Sequence, residues 1–130
     1  MKPILELNQD IQNKIQEIEH QCEFLCKQVS SLFTNNFKEH DLELIVEFLR
    51  TKNKHVTKEQ NYFQKEYHSF IEVGIEKDGE YIPNARLSIW KCKEEWFKLV
   101  GYITEYPTEK IEEFVKETIK EMMVDLNEKL

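Results

Sequence analysis

The sequence predicts an α+β fold in the order helix, helix, three-stranded antiparallel β-meander, helix (ααβββα), with residues 1–130 forming one domain. Three observations carry this expectation: a heptad-spaced apolar run near the N-terminus, a period-two segment in the middle, and an amphipathic run that opens with acidic residues near the C-terminus. Three Gly, three Pro, 40% hydrophobic and 33% charged residues are the balance of an ordered chain with short connections.

In the first element Ile11, Ile15, Ile18, Cys22, Leu25, Val29 and Leu32 recur at alternating steps of four and three, the seam of a long helix. Cys26 and Phe33 widen that stripe toward the face a helix uses against a sheet. The same stripe, Ile11 to Leu32, is also a surface through which a homodimer can form. Phe24 lies off the stripe, where helix two or a partner chain can cover it, and an isolated exposed aromatic there is equally unremarkable. Thr34-Asn35-Asn36 predicts the end of the helix, and Asp41 a cap for a short second helix with Leu42, Ile45, Val46 and Leu49 on one side. Thr51 to Gln60 reads as a loop.

Next, Phe63, Tyr67, Ile71, Val73 and Ile75 fall on one side of an extended segment. A three-residue loop Lys77-Asp78-Gly79 sets Ile71 opposite Ala85 and Val73 opposite Pro83. A second loop, Cys92-Lys93-Glu94, sets Ile89 opposite Phe97 and Leu87 opposite Leu99. In that register the apolar residues share one face, and the other carries His68, Phe70, Glu72, Asn84, Arg86, Ser88, Trp90, Trp96, Lys98, Val100 and Tyr102. Thr108 predicts the cap of the final helix, whose inward side is Ile111, Phe114, Val115, Ile119, Met122 and Leu126.

Function is less legible than build. The net charge of −7, from 18 basic and 25 acidic residues, comes without a basic stripe, which disfavours nucleic acid and anionic membranes and leaves a basic protein as the complementary partner. The longest apolar run is too short to span a bilayer and the N-terminus lacks a signal-peptide core, so the expected location is the cytoplasm. Cys22, Cys26 and Cys92 are expected as reduced thiols. Cys22 and Cys26 sit one turn apart, but His20 lies about 200° around the helix from Cys22, so no metal or other cofactor is expected.

The second sheet face combines aromatic and cationic residues, the types that dominate protein contacts. The expectation is therefore a small, acidic, non-catalytic module that binds another protein through Phe70, Arg86, Trp90, Trp96, Lys98 and Tyr102. An inhibitor, an immunity-type or anti-defence protein, and an adaptor all fit. The alternative is a ligand-binding or hydrolytic domain around His68, Ser88 and Arg86, although no nucleophile elbow or glycine-rich phosphate loop accompanies them.

Overall fold

The computed structural model describes residues 1–128. Its elements are β1 (Lys2–Ile4), α1 (Gln9–Lys38), β2 (Glu43–Lys52), β3 (His55–Val56), β4 (Tyr67–Lys77), β5 (Glu80–Glu95), β6 (Lys98–Ile103) and α2 (Thr108–Glu128). The α+β class and the antiparallel sheet match the expectation. The sheet, however, has six strands in the order β1-β6-β5-β4-β2-β3, not three. Both helices cover the same face of it, which makes two layers.

The N-terminal helix starts at Asn8, whose Oδ1 accepts the Ile11 N–H at 3.0 Å, and buries Ile15, Cys22, Leu25, Cys26, Val29 and Phe37. It runs through Thr34-Asn35-Asn36 rather than breaking there, because one further turn delivers Phe37 into the core. The heptad stripe that a homodimer would use is thus occupied by the chain's own sheet, with only Leu32, 62% exposed, left outside. Phe24 is exposed as well.

The predicted second helix is instead strand β2. Leu44 and Val46 are buried and Glu43 and Glu47 exposed, a period of two that the helical reading overlooked. Adjacent β-branched residues, Ile45 and Val46, favour the strand, and β4 pairs with it from Glu43↔Glu76 to Lys52↔Tyr67. Part of the predicted loop is the β2–β3 hairpin.

Two hairpin registers also differ from the expectation. Both loops have two residues, Asp78-Gly79 and Trp96-Phe97, so the flanking pairs are Lys77↔Glu80 and Glu95↔Lys98. Strand β5 consequently runs to Glu95. Irregularities at Ser69/Phe70 and Val73/Gly74 then set Ile71 opposite Leu87 and Val73 opposite Ala85. The first of them turns Trp90 to the helix side, where it is fully buried with Ile15, Tyr62, Tyr67 and Ile103. Trp90 is therefore a core residue and not part of the opposite face.

Its Nε1–H donates to the Tyr62 carbonyl at 2.8 Å, and its ring fills the space over Gly101, where an added Cβ would lie 1.9 Å from the ring. Only glycine fits at that position. Nearby, Arg50 joins Glu19 at 2.9 Å and Glu23 at 2.7 Å, and Tyr67 donates to Glu19 at 2.9 Å. Burial pushes the Glu19 carboxyl above its ordinary range, while Arg50 and Tyr67 oppose the shift. The thiols of Cys22 and Cys26 are free and buried, pushed up to about 12 chiefly by desolvation, and thus remain protonated. In α2 the residues Ile111, Val115, Ile119 and Met122 are buried and Leu126 partly so, but Phe114 is turned outward.

Candidate functional site

Because both helices occupy one side, the other side of the sheet is open. Side chains alternate across a strand, so the pairings place His68, Phe70 and Glu72 of β4 beside Arg86, Ser88 and Lys91 of β5, and Lys98 and Tyr102 of β6 beyond them. Phe70 is only 2% exposed although no helix lies over it. The Arg86 guanidinium stacks on its ring at 4.0 Å and the His68 ring flanks it at 4.8 Å.

Arg86 is fixed in turn by Glu72, with Nη2 at 2.7 Å and Nε at 3.0 Å from one carboxylate oxygen, while Tyr81 donates to the other at 2.8 Å. The hydrogen bond to Glu72, after desolvation, raises the Tyr81 phenol above its ordinary value. Farther along, Lys93 lies 5.5 Å from the Tyr102 ring centre and Tyr102 donates to Glu95. These residues form a patch in which cations and rings alternate.

His68 Nε2 lies 2.8 Å from Ser88 Oγ. Desolvation first, and then the charges of Lys91, Arg86 and Lys93, lower its pKa to about 4, so the imidazole is neutral at pH 7. Glu72, the nearby acid on that strand, is committed to Arg86 and Tyr81. The pair therefore lacks a carboxylate orienter, and neither His68 nor Ser88 lines any of five concavities found among the described residues.

The β5–β6 hairpin projects past the start of β4, since His68 pairs with Lys91 while β5 continues to Glu95. At its tip Trp96 and Phe97 are 95% and 98% exposed, with φ of 52° and 65°. A two-residue turn with both φ positive is the type I′ geometry that suits Asn and Gly and is unfavourable for bulky residues. Of the six residues expected to contact a partner, Phe70, Arg86, Lys98 and Tyr102 are on the open face, Trp96 is at the tip, and Trp90 is inside. Phe97 was not foreseen at the tip. Nothing local in a Trp-Phe dipeptide signals a turn.

Fold and site together define a two-layer α+β protein with an open aromatic and cationic sheet face and an aromatic hairpin tip. No family model, curated protein or solved structure matches the chain. No helix among the described residues is long and apolar enough to cross a membrane.

Proposed function

We propose that the protein works by stoichiometric contact with another protein, as an inhibitor, immunity-type, anti-defence or adaptor protein. The tip carries this reading: two large aromatic side chains are held in water, in a backbone conformation costing about 1–2 kcal/mol per residue, with no compensating burial among the described residues. Trp and Phe offered in this way are typical anchors for a desolvated pocket. Arg86, Lys98 and Tyr102 extend the contact surface behind them, and Phe70 becomes available only when Arg86 moves aside.

The test compares wild type with a Trp96→Asn, Phe97→Gly variant, first by capture from lysate with identification by mass and then by calorimetry on the purified pair. The expected result is one partner at one-to-one stoichiometry, bound at least about 30-fold more weakly by the variant, equivalent to about 2 kcal/mol. Undiminished affinity in the variant would exclude the tip.

One observation, the hydrogen bond between His68 and Ser88, favours the alternative of a ligand-binding or hydrolytic face. Ester hydrolysis lost on Ser88→Ala would establish it.

A further inference from the structure

Strand β2 pairs with β4 along its whole length but with β3 only at Thr51 and Lys52. The Lys52↔His55 pair closes a two-residue turn, and the Arg50 carbonyl accepts the Thr57 N–H at 2.9 Å. Backbone groups alternate in direction along a strand, so the even-numbered residues of β2 point away from β4. Leu44, Val46 and Phe48 therefore direct their N–H and C=O groups at the free edge, and among the described residues no hydrogen bond meets them.

Such an edge is a template for another strand unless it is blunted. The outermost strands β1 and β3 are very short, and β1 carries Pro3. Residues 43–49 contain neither Pro nor Lys. Beside this edge runs a groove of about 420 Å³ between α1 and β2, lined by Glu23, Cys26, Lys27, Val46, Glu47, Phe48 and Arg50. Glu23 and Arg50 also line a second concavity, together with His20 and Gln60.

We infer that this groove receives an extended segment of a different protein, which adds to β2 as an extra strand. Unpaired alternating donors and acceptors can be satisfied in series only by an extended backbone. The side chains specify its character. On the open face β2 shows Glu43, Ile45, Glu47 and Leu49, with Glu76 and Glu72 directly across from the two acids on β4. The complement is a strand whose residues on that face are basic, with apolar residues turned toward the groove.

A second copy of this chain fits less well. Antiparallel pairing of two β2 edges centred on Ile45 sets Glu43 opposite Glu47, and pairing centred on Glu47 sets that residue opposite itself. Centring on Val46 or on Phe48 avoids like charges face to face, but two chains of net charge −7 still repel at longer range. The edge is separate from the hairpin tip, so this inference holds or fails independently of the contact proposed there.

The experiment uses the full chain and a capped synthetic peptide of alternating Lys and Val, read by amide hydrogen exchange. In the free protein the amides of Leu44, Val46 and Phe48 should exchange quickly and those of Ile45, Glu47 and Leu49 slowly. Saturating peptide should slow the first set at least about tenfold. A Glu-Val peptide, or the Lys-Val peptide N-methylated throughout, should leave them unchanged. Three results would overturn the inference: no slowing at millimolar Lys-Val peptide, equal slowing by the N-methylated form, or protection without peptide. Protection that grows with protein concentration would assign the edge to a second copy instead. Since the protein itself is unaltered, loss of fold cannot mimic any of these outcomes.

Discussion

The two hairpins at opposite ends of β5 solve one geometrical problem with opposite chemistry. Each reverses the chain in two residues of positive φ, Asp78 (52°) and Gly79 (79°) in the first, Trp96 (52°) and Phe97 (65°) in the second. Asp and Gly reach that region at little cost. Trp and Phe do not, and neither is buried. The first turn can be explained by folding alone. The second stores strain at the tip of a projecting ribbon, the kind of local inconsistency that points outward to function.

Trp90 packs the base of that ribbon into the core, and removing it should have the largest effect. Trp90→Ala leaves a cavity over Gly101 and deprives the Tyr62 carbonyl of its donor. The expected loss is about 3–5 kcal/mol of global stability, measured by denaturant titration. A variant as stable as wild type would mean that Trp90 is not a core residue. The tip substitution has the opposite sign. With no burial to lose, Trp96→Asn, Phe97→Gly should raise stability by about 1–3 kcal/mol while weakening partner binding. A fall in stability would refute the strain.

Much of the fold was legible because period and spacing carried it. The heptad stripe and the inward positions Ile111, Val115, Ile119 and Met122 follow from 3.6-residue periodicity, and β4 from alternation. Strand β2 was not legible, because Leu42-Glu-Leu-Ile-Val-Glu-Phe-Leu49 satisfies a helical face and an alternating face equally, and only pairing with β4 decides between them. Registers failed for a related reason. Bulges leave no mark in sequence, and one residue of slip moves a side chain to the other face, which is how Trp90 passed from predicted anchor to core. The tip was hidden because Trp-Phe lacks any turn chemistry.

The lysines of the β5–β6 ribbon also act on His68, through which the ribbon's position can be read by titration. Desolvation, then Lys91, Arg86 and Lys93, hold its pKa near about 4, below its ordinary 6.5. The unfolded chain therefore binds this proton at higher pH than the folded one. Between pH 6.5 and 4 stability should fall as pH falls, and above that window this group contributes no slope. Because the lysines are partly screened by solvent, about 1–2 kcal/mol is the expected size. His68→Gln should flatten the curve in that window, and an unchanged slope would show that His68 titrates normally.

The smallest expected effect isolates the backbone term on which the contrast between the hairpins rests. An added Cβ at Gly79 meets nothing within 4 Å, so Gly79→Ala changes only the cost of holding a φ of 79°, about 1 kcal/mol of lost stability. Phe97 occupies the equivalent turn position, second of two, and is 98% exposed. Phe97→Gly should accordingly gain stability, by the same φ term less about 0.4–1 kcal/mol of entropy that glycine adds to the unfolded chain. The two variants form a mirrored pair, measurable by denaturant midpoint at constant slope. If both lose stability, the Phe97 side chain is held by contacts within the chain, and the tip stores no strain for a partner to explain.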